Sequence, residues 1–330
     1  MTQRSNDETT GTLPVVAVPR ADIFDALRDC EGVELRQWTP DTDPASALGD
    51  DADRVEMVIW PYPNPDGVSR RHLEALPRLR AVQAMTAGVD AVEPYVPDGV
   101  ALANGAGIHA TSTSELAVAL TLAKRRQLDQ FFLDQQRQSW RPRRQPSLAD
   151  SRVLIIGVGS IGTAIARRLE PFEVGITRVA RSARTDGLGP IEAMTELPRL
   201  LPEHDIVIVI VPLTDETTGL VDADFLAAMP DGALLVNVSR GAVVDTDALV
   251  AELQSGRIEA AVDVTDPEPL PEGHALWTAP GVIITPHIAG SSAAGVPRLH
   301  DLLRSQVRAF VGGAELANLV ARSAEQSSNA

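Results

Sequence analysis

The sequence predicts an α/β protein with two domains, each a doubly wound parallel sheet covered by helices. Short apolar segments typical of buried strands alternate with segments of helical periodicity along most of the chain. The 330 residues also exceed the ~250–300 over which a single hydrophobic core grows. The alternation starts afresh after a loop rich in proline and arginine at 140–150. We therefore expect two sheets, one on each side of this loop.

The first part of the chain supplies the first sheet. Strands are expected at 15–18, 33–38, 55–60, 80–85 and 100–104, with helices at 21–30 and 69–76. The 15–18 strand reads Val-Val-Ala-Val, as in parallel strands buried on both faces. A long helix is predicted over 111–138, because hydroxyl side chains can cap its start and Leu116, Leu120 and Ala123 recur at helical spacing.

The second part of the chain begins a longer alternation. Strands are expected at 153–156, 174–179, 206–211, 234–238, 260–264 and 282–284, and helices at 161–169, 194–201, 223–229 and 246–254. Six strands with crossover helices are the content of a complete dinucleotide-binding domain of the Rossmann type. A last helix at about 293–311 has no strand after it and could pack on the first domain; the tail at 323–330 is expected to be disordered.

Composition and charge narrow the class of protein. Hydrophobic residues make up 44% of the chain and charged residues 22%, as in an average soluble globular protein. Acidic residues outnumber basic ones 45 to 29, and the formal charge of −16 repels nucleic acid and anionic membrane surfaces. The single cysteine, Cys30, fits a reducing compartment. Because the first 11 residues lack the apolar stretch of a signal peptide, we expect a cytoplasmic protein with neither membrane nor nucleic acid as a partner.

A glycine-rich turn at 157–162 predicts a phosphate site. Gly157, Gly159 and Gly162 form a Gly-x-Gly-x-x-Gly pattern directly after an apolar strand and at the start of a helix, where dinucleotide-binding turns lie. The first glycine permits the tight turn, the second lets the backbone approach the pyrophosphate, and the third lets helix and strand pack closely. Ser160 and Ile161 open the helix, whose N–H groups and positive dipole end favour an anion.

The end of the next strand indicates which dinucleotide binds. NAD-preferring sites carry an acidic residue there, about 20 residues after the turn, to bind the ribose 2′-hydroxyl. The chain has Ala180 at that point and no carboxylate, while Arg181, Ser182 and Arg184 offer donors to a 2′-phosphate. Ordinary surface arginines would give the same pattern, since Lys124 is the only lysine of the chain. The prediction of NADP therefore depends more on the missing acidic residue than on the arginines, and NAD stays possible.

Three residues that follow strands of the second sheet are candidates for catalysis. Arg240 follows the strand at 234–238, Glu268 the strand at 260–264, and His287 the strand at 282–284. Ligands of doubly wound sheets bind beyond the carboxyl ends of the strands, so the three positions point to one site. Each residue alone has an ordinary explanation: a surface ion pair, a turn carboxylate and a loop histidine. No metal site is expected.

The chemistry of the side chains suggests a role for each. The planar guanidinium of Arg240 fits a carboxylate bidentately, and His287 titrates near neutral pH, so it can give or take a proton. A carboxylate at Glu268 would favour the imidazolium form and fix the ring. Asp263 could bind the nicotinamide carboxamide, or simply cap the strand end. Together these residues predict hydride transfer between a nicotinamide and a small organic acid.

The sequence resembles the D-isomer-specific 2-hydroxyacid dehydrogenases over most of its length. The glycine turn, Pro212-Leu213-Thr214 with Thr217, and the segments 237–241, 263–270 and 285–290 carry the resemblance. It implies that Arg240, Glu268 and His287 are the catalytic residues. It also implies cofactor contacts at Pro212, Thr217, Val238 and Asp263. The 263–270 segment and the Arg-Ser pair resemble the glyoxylate and hydroxypyruvate reductases in particular.

The resemblance also implies how the chain is organised. A flavodoxin-like substrate domain would comprise residues 1–110 and 288–330, a dinucleotide-binding domain residues 111–287, and a cleft would separate them. The loop at 86–90 would offer backbone amides at Ala87 and Gly88 to the carboxylate of a 2-keto or 2-hydroxy acid. A homodimer formed through the cofactor domains and the helix after residue 111 is expected.

Two alternatives stay open at this point. Thr265 departs from the aromatic residue common in other branches of the family, so the substrate could be another 2-hydroxy acid such as 3-phosphoglycerate, while Ala180 departs from the acidic NAD signature and argues against obligate NAD. A dinucleotide-sensing protein without catalytic activity would also retain the glycine turn. The presence of the Arg, Glu and His candidates favours the reductase.

Overall fold

The computed structural model describes residues 13–62 and 66–320, and the chain divides into two compact units. The first unit contains residues 13–108 and 296–320 of this described part, and the second contains residues 109–295. The expected boundaries lay at 110/111 and 287/288, so the segment 288–295 falls in the second unit instead of the first. The reason is local, because the N–H groups of Ile288 and Ala289 bind the side chain of Asp263 in the second unit. The predicted disorder at 323–330 lies outside the described residues.

The first unit is a five-stranded sheet with helices on both faces. Its strands are β1 (Val15–Val18), β2 (Glu34–Gln37), β3 (Val55–Trp60), β4 (Ala81–Ala84) and β5 (Ala101–Ala103), and its helices are α1 (Ala21–Leu27), α2 (Pro44–Leu48), α3 (Arg70–Glu74) and α10 (Gly295–Val311). The strand order is β2-β1-β3-β4-β5, and every pair is parallel. This is the flavodoxin-like order. Residues of β1 alternate between two apolar cores, one on each face of the sheet.

The C-terminal helix α10 belongs to the first unit, as predicted. Leu303, Val307 and Phe310 are buried in the same core as Val16 and Met57 of the sheet. The amide of Gln306 adds a polar contact by donating to the side chain of the fully buried Gln83 at 2.6 Å. The last segment of the chain therefore completes the core begun by the first strands.

The second unit is a larger sheet with a core on each face. Its strands are β6 (Arg152–Ile156), β7 (Gly175–Ala180), β8 (Arg184–Asp186), β9 (Gly189–Ala193), β10 (Ile206–Val209), β11 (Leu234–Asn237), β12 (Glu259–Val262) and β13 (Val282–Ile284). Its helices are α4 (Ala110–Arg125), α5 (Leu128–Gln136), α6 (Ser160–Leu169), α7 (Leu197–Leu200), α8 (Ala223–Ala228) and α9 (Thr246–Ser255). The strand order is β13-β12-β11-β10-β6-β7-β9-β8, in which only β8 and β9 pair antiparallel.

The order of the second sheet confirms the predicted Rossmann topology and places its switch point. The chain runs outward from β6 to β7 and β9 in one direction, then returns to β10 and runs outward through β11, β12 and β13 in the other. The carboxyl ends of β6 and β10 therefore flank the point where ligands of such sheets bind. The glycine turn follows β6 directly.

The single helix predicted over 111–138 is wrong in one respect, because two helices cover this segment. Gln127 has a φ of 50°, in the left-handed region, and it ends the hydrogen-bonding run of α4 before α5 begins. The buried Lys124 bridges the break by contacting Asp129 and Glu259, each at 3.2 Å. These contacts hold the start of α5 against α4 and β12.

The hairpin of β8 and β9 was not predicted. All three residues of β8 are exposed, so the strand lacks the apolar pattern that marks the others. It exists because it pairs with β9, which continues the sheet beyond β7. Within residues 13–62 and 66–320, none of the helices has the length and apolar character needed to cross a membrane.

Candidate active site

The glycine turn is shaped by close backbone contacts. Gly157 has a φ of 113°, and its N–H donates to the carbonyl of Val179 on the next strand. A Cβ atom at Gly157 would lie 2.0 Å from the carbonyl oxygen of Ile210, and one at Gly162 would lie 1.9 Å from that of Gly157. Real Cβ atoms do not approach so closely, so both positions require glycine.

Gly159 differs from its two neighbours, and the difference fits a bound phosphate. A Cβ atom at Gly159 would meet no heavy atom within 4 Å among the described residues. Gly159 is the N-cap of α6, and no described side chain caps this helix start. The N–H groups of the first turn, including those of Ser160 and Ile161, thus have no hydrogen-bond partner within the helix. Open space in front of these donors suits a pyrophosphate.

The side chains beyond β7 lie on the surface. Arg181, Ser182 and Arg184 are all exposed. The guanidinium of Arg184 lies 3.5 Å from the carbonyl oxygen of Val158, within the glycine turn. Arg181 has Glu216 at 3.9 Å, an exposed pair that contributes little. The structure therefore places the side chain of Arg184, one of the predicted cofactor-binding residues, beside the glycine turn.

The loop after β10 is closed by the hydroxyl of Thr217. This oxygen accepts from the N–H of Thr214 at 2.8 Å and donates to the carbonyl of Pro212 at 2.6 Å. Val238, which follows β11, is 5% exposed, and its N–H donates to Val209. Thr217 and Val238 therefore shape the loops beside the switch point, while Pro212 is exposed there.

Arg240 lies on a turn that is held by the buried Asn237. The side-chain amide of Asn237 donates to the carbonyl of Arg240 at 3.0 Å, and its oxygen accepts from both the N–H and the hydroxyl of Ser239. The guanidinium of Arg240 donates to the carbonyl of Ser239 at 2.9 Å. The side-chain amide of Asn237 thus fixes the backbone at Ser239 and Arg240. The sequence pattern did not indicate this contact.

His287 and Glu268 are in direct contact. The His287 Nδ1 atom lies 2.5 Å from the Glu268 Oε1 atom, and the two side chains are 40% and 42% exposed. The predicted pairing of an imidazole with a carboxylate is therefore present. Half exposure leaves both groups accessible to a small molecule.

Asp263 organises the loop that carries His287. Its Oδ1 atom accepts from the hydroxyl of Thr285 and the N–H of Ile288, and its Oδ2 atom accepts from the N–H of Ala289 at 2.8 Å. The carboxylate is 1% exposed. These three bonds hold the loop, and contact of Asp263 with the nicotinamide stays a prediction.

His287 needs such support because its backbone is left-handed. Its φ is 52°, which costs a residue with a Cβ atom about 1–3 kcal/mol. The N–H of His287 donates to the carbonyl of Asp263 at 2.7 Å, so the backbone and the side chain of one aspartate both hold the turn. The network keeps the imidazole oriented towards Glu268.

The turn of Arg240 and the loop of Glu268 also touch. A Cβ atom at Gly241 would lie 1.9 Å from the carbonyl oxygen of Thr265, so the two backbones are packed directly against each other. The hydroxyl of Thr246 donates to the carbonyl of Asp266 at 2.8 Å and adds a second tie. Three loops, from three adjacent strands, thereby form one connected edge of the sheet.

The predicted substrate loop belongs to the first unit. Ala87 and Gly88 follow β4, so they lie beyond the carboxyl end of a strand in that sheet. The hydroxyl of Thr86 donates to the carbonyl of Gly88 at 2.7 Å, and the carbonyl of Thr86 accepts from the N–H of Gly105. The loop is thus a closed turn. Its role in substrate binding stays a prediction.

Comparisons with known proteins agree with this architecture. Residues 118–289, just over half of the chain, match the family model described as D-isomer specific 2-hydroxyacid dehydrogenase, NAD binding domain. The glyoxylate reductase/hydroxypyruvate reductase of Homo sapiens is 36% identical over 281 residues, which cover 81% of this chain and 84% of that protein.

Solved structures give the same result for the whole fold. A D-isomer specific 2-hydroxyacid dehydrogenase from Xanthobacter autotrophicus Py2, in complex with NADPH and MES, is 28% identical with a TM-score of 0.80 and covers 94% of this chain and 98% of that one. An NADPH-dependent glyoxylate/hydroxypyruvate reductase from Sinorhizobium meliloti, in complex with NADP and malonate, is 30% identical with a TM-score of 0.75, over 94% and 97% of the two chains. The chain therefore belongs to the D-isomer specific 2-hydroxyacid dehydrogenases, a family of NAD(P)-dependent oxidoreductases.

Proposed function

We propose that this chain reduces a small 2-keto acid of the glyoxylate and hydroxypyruvate type to the D-2-hydroxy acid with NADPH. The contact between His287 Nδ1 and Glu268 Oε1 carries the proposal, because it forms an acid/base pair at the edge of the sheet where Arg240 also lies. The names of the human and Sinorhizobium relatives support the substrate class.

Each protein group has one task in this reaction. When bound, the reduced nicotinamide supplies the hydride. Arg240 holds the substrate carboxylate with its planar fork and polarises the carbonyl. Since Nδ1 of His287 is engaged by Glu268, Nε2 is the nitrogen that delivers the proton to the nascent alkoxide. Glu268 holds the ring through its contact with Nδ1.

The preference for NADPH rests on the residues after β7. Ala180 has no carboxylate to repel a 2′-phosphate, and the exposed guanidiniums of Arg181 and Arg184 are available as donors. Gly157, Gly159 and Gly162, with the first N–H groups of α6, hold the pyrophosphate.

We further propose that two copies of the chain associate through the surface of α5 and the loop that follows it. Leu128, Phe132 and Leu133 are 40%, 61% and 40% exposed, and Trp140 is 96% exposed. So many large apolar side chains in one short segment are typical of a covered surface. Light scattering should give a dimer mass for the wild type and a lower mass for Phe132→Asp.

Cytoplasmic localisation stays a prediction of the sequence.

A substrate panel run with both cofactors tests the function. The protein is mixed with NADPH or NADH and with one acid at a time: glyoxylate, hydroxypyruvate, pyruvate or 3-phosphohydroxypyruvate. The loss of absorbance of the reduced cofactor measures turnover. We expect the highest kcat/KM with NADPH as the cofactor and either glyoxylate or hydroxypyruvate as the substrate. Turnover mainly of 3-phosphohydroxypyruvate would contradict the substrate class. Cofactor binding without turnover of any acid would favour a sensing protein.

A further inference from the structure

The guanidinium of Arg178 lies inside the second unit, and both of its terminal nitrogens donate to protein groups. Its side chain is 4% exposed, although Arg178 is in β7 only two residues before Ala180. It donates through two nitrogens to the two carboxylate oxygens of Asp186, at 2.8 and 2.7 Å. It also donates to the carbonyl of Gly189 at 2.8 Å. Arg178 is thus unavailable to a cofactor, in contrast to the exposed arginines that follow it.

The partners of Arg178 lie on both strands of the β8–β9 hairpin. Asp186 is the last residue of β8, and Gly189 is the first residue of β9. The Asp186 carboxylate also accepts from the N–H of Leu188 at 2.8 Å, within the turn itself. The hydrogen bonds from Arg178 hold the pKa of Asp186 at about 2, so the carboxylate is charged at neutral pH. One ion pair therefore ties the turn of the hairpin to the central sheet.

Apolar burial does not hold β8 in place. All three of its residues are exposed, and the buried apolar side chain of the hairpin, Ile191, belongs to β9. Ile191 lies opposite Arg184 in the antiparallel pairing. The position of β8 consequently depends on its pairing with β9 and on the bidentate contact between Arg178 and Asp186.

Arg184 is the first residue of β8, so its reach depends on where the hairpin is held. Its guanidinium lies 3.5 Å from the carbonyl oxygen of Val158 in the glycine turn. A bidentate contact with a phosphate requires the guanidinium to be held in one geometry. A hairpin released at its turn would let Arg184 move away from the glycine turn.

We propose that Arg178 and Asp186 are positioning residues for cofactor choice: by holding the β8–β9 hairpin to the sheet, they keep Arg184 where it can bind a 2′-phosphate. The inference rests on the proposed use of NADPH. It adds two residues that do not touch the cofactor. Their loss should weaken binding of NADPH and leave binding of NADH almost unchanged, since NADH has no 2′-phosphate.

Titration of the dinucleotides by protein fluorescence tests the pair. Asp186→Asn keeps the shape of the side chain but removes its charge, and we expect the Kd for NADPH to rise about tenfold while the Kd for NADH changes less than about twofold. Glu252→Gln is the matched control, because it likewise removes the charge of a carboxylate that contacts an arginine, Arg257 at 2.7 Å, in the same unit and far along the chain from the hairpin. It should change neither Kd.

A double variant shows whether Asp186 acts through Arg184. Arg184→Ala alone should weaken NADPH binding, and adding Asp186→Asn to it should cause no further loss beyond about twofold. If the loss of NADPH affinity in the double variant equals the product of the losses in the two single variants, the proposal is overturned. An equal loss of NADPH and NADH binding in Asp186→Asn would also overturn it.

The outcome also separates this pair from the cofactor assignment. A wild-type protein that binds NADH as tightly as NADPH overturns the proposed cofactor and this inference with it. A wild type that prefers NADPH, combined with unchanged NADPH binding in Asp186→Asn, overturns the positioning pair alone. If Asp186→Asn does not fold, Arg178→Lys retains the buried positive charge but loses the bidentate contact, and the same selective loss is expected.

Discussion

The glycine turn at 157–162 and the loops that carry Arg240, Glu268 and His287 follow strands of the same sheet, yet different forces shape them. In the turn, backbone atoms are so close that a Cβ at Gly162 would lie 1.9 Å from a carbonyl oxygen. In the loops, side-chain amides and carboxylates hold the backbone, as Asp263 does with three hydrogen bonds. Substitutions in the turn should therefore act on folding or cofactor affinity, and substitutions in the loops on rate.

The two regions also differ in how they use unusual backbone geometry. The positive φ of Gly157 needs no compensation, because glycine adopts it readily. The positive φ of His287 belongs to a residue with a Cβ atom, so neighbouring hydrogen bonds must hold it. The proposed proton transfer requires an imidazole at 287, so under that proposal glycine could not serve at this position.

The largest effect is expected in the loops, from His287→Gln. Glutamine can keep a hydrogen bond to Glu268 but cannot deliver a proton, so kcat should fall by about 10³-fold. The Kd for NADPH and the Tm should stay close to those of the wild type. His274→Gln, in the loop between β12 and β13, is the matched control and should retain full activity. An active His287→Gln enzyme would remove histidine from the mechanism.

Gly162→Ala should have the next largest effect, and it should appear in folding. The added Cβ meets the backbone of Gly157, which cannot move aside as a side chain could, and we expect the free energy of unfolding to fall by about 3 kcal/mol. Urea denaturation measures this loss. Gly175→Ala is the control, because its Cβ would lie 3.9 Å from its nearest neighbour, the Cγ atom of Arg152. Equal stability of the two variants would contradict the steric account.

Arg240→Lys should lower kcat/KM by about 10²-fold. A lysine retains the charge but cannot present the planar fork to a substrate carboxylate. Steady-state kinetics with the best acid of the substrate panel measures the effect, and the free energy of unfolding should not change. Arg199→Lys, on the surface helix α7, provides a control for the substitution itself. Full activity in Arg240→Lys would assign the carboxylate to another group.

Gly159→Ala should give the smallest effect and the sharpest comparison with Gly162→Ala. Its Cβ would meet no described protein atom within 4 Å, so stability should match that of the wild type. The methyl group would instead occupy space proposed for the pyrophosphate, and the Kd for NADPH should rise about tenfold. Unchanged affinity would show that the phosphate does not approach this residue.

The sequence was sufficient to predict most of the second sheet, because unbroken apolar runs such as 206–209 have few alternatives to a buried parallel strand. It failed at Gln127 and at β8 for identifiable reasons. Gln127 ends a helix although glutamine is a good helix former, so no local signal marks the break. The exposed strand β8 carries no apolar pattern, since pairing and the ion pair of Arg178 hold it.

The sequence by itself determined the fold class, the glycine turn, the Arg, Glu and His candidates, and the family. These follow from local chemistry: glycine where a Cβ has no room, apolar runs where strands are buried, and titratable residues after strand ends. The tertiary structure alone decided that Nδ1 of His287 contacts Glu268, that Asp263 holds the histidine loop, and that Arg178 is buried beneath a hairpin while Arg184 is exposed. Such contacts join residues that are distant along the chain, and only the packing of the strands sets their distances.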